Sequence, residues 1–175
     1  FMPIKGAEKE YERALETIWQ LPDEWDFHFN VYPFDTSVLP LYTFLPVWVQ
    51  NGGKDVMLSN IRDTWMQQRI IQDLPKIDPY DFIVAQAEHN EALVGQTLRE
   101  LMDMFSLGDP REAVLRLMMT TGLEASIFYK NINPKLIADG LKHPRSMVAS
   151  NAASLGAHRK SERLERAHST FTKFL

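Results

Sequence analysis

The clearest chemical signal in this sequence is a set of cations near its end. Between residues 159 and 173, three arginines and a lysine recur at spacings of four, three and seven, which places them on one face of a helix. A guanidinium suits phosphate because it donates two parallel hydrogen bonds. The pattern, extended by nearby cations, predicts a nucleic-acid-binding face formed by Lys142, Arg145, Arg159, Lys160, Arg163, Arg166 and Lys173.

The same predicted helix, residues 158–174, has other interpretations. Glu162 lies four residues before Arg166, an ordinary ion pair of a solvated amphipathic helix. An anionic membrane surface would also attract the cations. The apolar stripe beside them contains Leu164, Phe171 and Phe174, and it can dock on its own body or on a neighbouring subunit. The sequence leaves these alternatives open.

A second candidate is the proline-broken, aromatic segment 22–53. Nine of the 19 aromatic residues lie between Trp19 and Trp48, more rings than a segment with four prolines can bury by itself. The segment is therefore interpreted either as an arm that grips a partner or as a wrap that covers the core. The predicted partner-binding residues are Phe34, Tyr42, Phe44, Trp48, Leu164, Phe171 and Phe174.

Catalytic and metal-binding patterns are not found in the sequence. The chain has no cysteine, which excludes thiolate sites and a cysteine nucleophile. Glu88-His89-Asn90-Glu91 lacks the spacing of a zinc or di-iron helix, and Gly52-Gly53-Lys54 lacks the rest of a phosphate loop. We therefore expect no metal, no cofactor and no enzymatic activity, with an enzyme of unknown class as the third alternative.

Charge divides the chain unevenly. Residues 1–134 hold 11 Lys/Arg and 20 Asp/Glu, a balance of −9, whereas residues 135–175 hold 8 and 3, a balance of +5, which gives the net −4. A basic end on an acidic body indicates contact with something anionic, a partner or the body itself. The sequence has neither a long apolar run nor a recognisable signal peptide, so we expect a soluble intracellular protein of the cytoplasm or a virion.

Apolar periodicity predicts the elements that must position these groups. Helices are expected at 6–20, 55–74, 79–106, 110–130, 134–141 and 158–174. Asp78-Pro79 and Asp109-Pro110 each supply an N-cap and a proline at the first helical position, and Gly108 is expected to stop the third helix. Helices 79–106 and 110–130 should then form a central antiparallel pair.

The sequence therefore predicts a mainly α fold. It is expected to be one domain over 1–175, a bundle of about six helices, with 22–53 as an arm and 158–175 as a docking or exchanged helix. The favoured function is a non-enzymatic self-assembling or interaction protein, such as a viral or phage coat, nucleocapsid or scaffold subunit. The alternative is a protein that binds RNA or DNA through the basic face.

Overall fold

The computed structural model describes residues 1–31, 33–150 and 170–172, which divide into two compact units. Unit 1 comprises residues 1–37, 130–150 and 170–172, and unit 2 comprises residues 38–129. The elements in chain order are α1 (Glu8–Trp19), β1 (Phe29–Val31), β2 (Ser37–Pro40), α2 (Val47–Gln50), α3 (Gly53–Arg62), α4 (Thr64–Asp73), β3 (Phe82–Ala87), α5 (Leu98–Phe105), α6 (Pro110–Thr120), β4 (Ala125–Tyr129), α7 (Pro134–Lys142) and β5 (Ser146–Val148). Short 3-10 turns lie at Leu41–Phe44 and Glu91–Leu93.

Unit 1 is built on a parallel pair of strands, β1 and β5, which run in register from Phe29 beside Ser146 to Val31 beside Val148. Helix α7 connects into β5, and its N-terminus is capped by Asn133, whose side chain accepts from the Lys135 amide at 3.1 Å. The apolar core of unit 1 joins α1, β1 and α7 through Ile18, Phe29, Val31, Phe34, Ile132 and Ile137.

Unit 2 packs helices on a three-stranded sheet of order β2-β4-β3, with the residues of β2 from Val38 onward inside the unit. Strands β3 and β4 are antiparallel, from Phe82 beside Tyr129 to Ala87 beside Ala125, with an irregularity between Val84 and Gln86. Fully buried side chains of the unit come from the sheet, from α3 to α6 and from the segment before α3, among them Leu41, Val49, Ile61, Ile70, Phe82, Leu98, Leu101, Leu117, Met118 and Ile127.

The prediction of a mainly α bundle of about six helices is wrong, because the described residues contain five strands in two sheets beside the helices. Residues 82–87 are a strand rather than the start of a helix over 79–106. The run Phe-Ile-Val-Ala-Gln-Ala is short, rich in β-branched and apolar residues and bounded by turns, and periodicity does not separate such a run from a buried helix. Asp78 caps only a turn there, accepting from the Tyr80 amide at 2.9 Å.

The predicted helix over 110–130 is also corrected. Helix α6 ends at Thr120, and Gly122 and Leu123 both have positive φ, which no helix continues. The chain then enters β4. The central pair therefore shrinks to α5 and α6, and its stop is Ser106 in the left-handed conformation rather than Gly108.

Several local predictions are confirmed. Asp109 caps α6 by accepting from the Arg111 amide, α7 begins at Pro134 as expected for the helix 134–141, and α1 lies within residues 6–20. The predicted helix 55–74 is two helices that meet at Asp63. Of the predicted helix 158–174, only residues 170–172 are described, and these are helical.

Candidate partner-binding surface

The surface with the most exposed aromatic side chain lies where α3 gives way to α4. Asp63 ends α3 and caps α4: its Oδ1 accepts from the amides of Trp65 at 2.9 Å and Met66 at 3.0 Å. This cap satisfies two amides that the new helix leaves without internal partners. Helix α4 turns Ile70 into the core, and Trp65, on the opposite side, is 92% exposed.

A second tryptophan, Trp48 of α2, lies half-buried against the side of α4. Its indole Nε1 donates to Oδ2 of Asp73 at 3.0 Å, and the guanidinium carbon of Arg69 lies 4.6 Å from the ring centroid. Both partners come from α4, four residues apart. The hydrogen bond and the cation–π contact together fix the plane of the indole.

These side chains belong to one side of α4 and to the short helix that contacts it. Trp65, Arg69 and Asp73 recur every four residues and so lie along one side of α4; Trp48 of α2 contacts Arg69 and Asp73, and the 76%-exposed Val47 precedes Trp48 in the chain. We call these five residues the α4 stripe. It combines exposed apolar area with one cation and one anion, the composition of a protein-contact surface.

The neighbouring side of α3 is polar. Asp55, Leu58, Ser59, Arg62 and Asp63 line a shallow depression there. Arg62 and the two aspartates add charges of both signs next to the stripe. In unit 2 the surface around Trp65 is therefore flanked by paired opposite charges and not by a field of one sign.

The predicted partner-binding residues are distributed between core and surface. Phe34 and Phe44 are buried in the cores of units 1 and 2, so neither ring is presented to a partner. Tyr42 and Phe171 are exposed, and Trp48 belongs to the α4 stripe. Leu164 and Phe174 lie outside the described residues.

The most exposed tryptophan was not among the predicted partner-binding residues. Sequence periodicity placed Trp65 on one apolar face with Leu58 and Ile61, as expected for a single helix over 55–74. The break at Asp63 changes the helical phase and turns the indole outward. The sequence signal that could have revealed this is Asp63 itself, a preferred N-cap residue in the middle of the assumed helix.

The predicted nucleic-acid-binding residues are described only in part. Lys142 is exposed and pairs with Asp139 at 3.6 Å. The Arg145 guanidinium donates to the carbonyls of Trp25 at 2.5 Å and Pro22 at 2.7 Å, and thereby folds the 21–25 segment of unit 1. The remaining five, Arg159, Lys160, Arg163, Arg166 and Lys173, lie outside the described residues.

The acidic and histidine side chains of the described residues are dispersed. Among the described residues, no group of three or more His, Asp or Glu side chains is arranged to hold a metal ion. His89 and its neighbours, predicted on a helix, lie in a turn after β3, with His89 at φ +62°. Within residues 1–31, 33–150 and 170–172, no helix has the length and apolar content needed to cross a membrane.

Comparison with known proteins gives one weak structural likeness. Neither a protein-family model nor a curated protein matches the sequence. The crystal structure of N-acyl-D-glutamate deacylase from Bordetella bronchiseptica, complexed with zinc and a phosphonate inhibitor, aligns with a TM-score of 0.48 at 12% identity. The alignment covers 86% of this chain and 24% of the enzyme, so the chain spans about a quarter of that enzyme's length.

Proposed function

We propose that this protein is a non-enzymatic interaction protein that associates with a second copy of itself through the α4 stripe. The observation that supports the proposal is the 92% exposure of Trp65 on the same side of α4 as Arg69 and Asp73, the two residues that hold the Trp48 indole in place. Tryptophan and arginine are among the residues most enriched at interaction hot spots.

The energetic case rests on the size of the indole. A tryptophan buries about 150–250 Å² when it is fully covered. At about 25 cal/mol per Å², covering Trp65 contributes several kcal/mol before the entropic cost of association is subtracted. Because Trp48 is already fixed by Asp73 and Arg69, little further ordering of that ring is needed on binding.

A second copy is the favoured partner because the charges of the stripe complement themselves. In a two-fold interface the same surface meets itself, so residue i contacts j and j contacts i. Arg69 and Asp73 lie one helical turn apart, and an antiparallel α4–α4 contact brings each arginine toward the aspartate of the other copy.

The association is expected to be reversible. A stable interface buries about 800 Å² on each partner, more than five side chains cover. We therefore expect a concentration-dependent dimer rather than an obligate one. A closed two-fold contact ends at the dimer, so a coat or scaffold lattice would require a further contact, for which the predicted helix 158–174 is the sequence-based candidate.

The test is a concentration series measured by light scattering after size exclusion, on the full chain. The wild type should pass from monomer to dimer, and Trp65→Ala should weaken the dimer by about 2 kcal/mol, roughly 30-fold in Kd. Trp25→Ala is the matched control, since Trp25 is 57% exposed but lies in unit 1. A wild type that stays monomeric throughout, or equal loss in both variants, contradicts the proposal.

The nucleic-acid-binding alternative stays a prediction that rests on the sequence of 159–173. Arg145 is left out of it, because its guanidinium is already bound to backbone carbonyls. Titration of a mixed oligonucleotide over a salt series, with Arg159, Arg163 and Arg166 changed together to Ala, tests it. No binding at low salt, or binding unaffected by the triple change, rules it out.

A further inference from the structure

His143 is an unusual buried group of unit 1. It follows α7 directly, and its side chain lies between two aromatic rings, with centroids 4.1 Å from Trp19 and 5.2 Å from Phe29. The residue is only 3% exposed. Neither neighbouring ring offers a charge or a strong acceptor to the imidazole.

The hydrogen bonds of His143 define its protonation state. Its Nδ1 accepts from the backbone amide of Arg145 at 3.0 Å, which requires a free lone pair on that nitrogen. The proton of the neutral ring is therefore on Nε2. Among the described residues, Nε2 has no hydrogen-bond partner and is fully buried.

The accepted bond also supports a larger contact. The backbone of Arg145 is held by His143, and the Arg145 guanidinium donates to the carbonyls of Leu21, Pro22 and Trp25. The Ser146 amide donates to the His143 carbonyl at 2.9 Å, immediately before β5. The imidazole thus supports the hydrogen bonds from the Arg145 guanidinium that hold residues 21–25 against the turn 143–146. We call these hydrogen bonds the Arg145 clamp.

Among the described residues, no element packed against the imidazole contributes a carboxylate to it. Helix α1 contributes Trp19 and β1 contributes Phe29, neither of them charged, while the turn contributes the Arg145 cation. No carboxylate of the described residues pairs with either ring nitrogen. Burial, and secondarily the positive charge of Arg145, lowers the pKa of His143 below the ordinary value of about 6.5.

Acid affects this hydrogen-bonded arrangement by protonating one atom, Nδ1 of His143. A proton added to Nδ1 turns the acceptor into a donor that faces the Arg145 N–H, so the bond is lost and two donors oppose each other. The imidazolium is also buried beside the Arg145 guanidinium, whose neighbouring carboxylate, Asp23 at 3.8 Å, is fully exposed and pairs with the guanidinium rather than with the imidazole. Leaving the pocket restores water to both ring nitrogens.

We propose that His143 is an acid-sensitive latch: protonation at Nδ1 moves the imidazole out from between Trp19 and Phe29 and releases the Arg145 clamp on residues 21–25. The open state exposes the Phe29 ring, which is 7% exposed in the closed state, and further uncovers Trp19, which is already 58% exposed. The latch involves only unit 1 residues and does not depend on the self-association proposed above.

The sign of the pH dependence follows from linkage. Because the closed state has the lower His143 pKa, the open state takes up the proton first. The closed latch is therefore fully stable above about pH 6.5, and its opening constant rises about tenfold for each pH unit below that value, until the pH reaches the pKa of the closed state.

Hydrogen exchange of the full chain at pH 7.5 and pH 5.5, corrected for the intrinsic exchange rate, measures the opening. The amides to follow are those of Arg145, Trp25 and Phe27, which donate to His143 Nδ1 and to the Pro22 and Trp25 carbonyls. We expect protection at these three amides to fall at the lower pH, by up to about tenfold, with amides in the unit 2 core unchanged. Equal protection at both pH values overturns the latch.

Two variants separate the latch from general acid instability. His143→Asn keeps an acceptor near the Nδ1 position but takes up no proton, so the acid-induced loss of protection should disappear. His28→Asn is the matched control, an exposed histidine of the same unit near Asp26, and it should keep the wild-type response. Because His143→Asn can disturb folding, the wild-type His143 pKa is also measured by NMR, and a value at or above about 6.5 overturns the proposal.

Discussion

Trp48 Nε1 donates a 3.0 Å hydrogen bond to Asp73 Oδ2. This bond joins the short helix α2 to the exposed side of α4. The bond lies at the surface, so its importance is for the order of the indole rather than for the stability of unit 2. That distinction can be measured.

Asp73→Ala should lower the free energy of unfolding by less than about 1 kcal/mol, because the aspartate is exposed. It should weaken self-association more clearly, about two- to tenfold in Kd, because the freed indole must be ordered on binding. Chemical denaturation and the light-scattering series measure the two quantities. Asp73→Asn keeps an acceptor oxygen and should restore most of the affinity.

Asp103→Ala is the control for charge alone, since Asp103 is an exposed aspartate of α5 that pairs with Arg99. It should leave the dimer unchanged. An equal effect of Asp73→Ala and Asp103→Ala would mean that net charge, and not the Trp48 contact, governs association.

The corrected end of α6 predicts opposite outcomes for two glycines. Gly122 has φ +57° with open space around it, so Gly122→Ala should cost about 1 kcal/mol through backbone strain alone. Gly108 does not have positive φ and also has open space, so Gly108→Ala should be neutral or slightly stabilising. Thermal or urea unfolding distinguishes them. Equal destabilisation by the two changes would restore Gly108 as the helix stop.

Position 140 of α7 requires glycine because the Tyr11 side chain approaches its backbone closely. A Cβ at this position would meet the hydroxyl of Tyr11, whose Oη donates to the Leu136 carbonyl at 3.3 Å. Gly140→Ala should therefore destabilise unit 1 by about 1–3 kcal/mol, although alanine is the better helix former. Adding Tyr11→Phe removes the clashing oxygen and should recover part of the loss. A double variant no more stable than Gly140→Ala contradicts this packing argument.

Sequence patterns predicted best where a cap or a turn residue specified the backbone. Asp109-Pro110 and Asn133-Pro134 begin helices as expected, since the side-chain acceptor and the proline act locally. The sequence at the start of α5 contains a comparable capping signal, although the predicted helix 79–106 runs through it. Thr97 and Glu100 form a reciprocal capping box, and the backbone hydrogen bond from Thr97 lowers the pKa of the Glu100 carboxyl.

Strands β3 and β4 were not predicted, and the reason is physical. In β3 and β4 both faces are largely covered, so apolar residues do not alternate strictly with polar ones, and the same residues also fit a helical stripe. Pairing of Phe82 with Tyr129 joins residues far apart in the chain, and no local pattern reports it. The α4 stripe was not predicted from the sequence, because the break at Asp63 decides which way Trp65 faces.

That break has a consequence for how such a surface arises. In a helix continuous through position 63, Trp65 would follow the fully buried Ile61 by four residues and share its side. One capping residue converts the same indole from interior to surface without altering the composition of the chain. A contact surface of this kind can therefore be gained or lost in a lineage through one substitution or one single-residue deletion at a helix junction, with the hydrophobic residues themselves untouched.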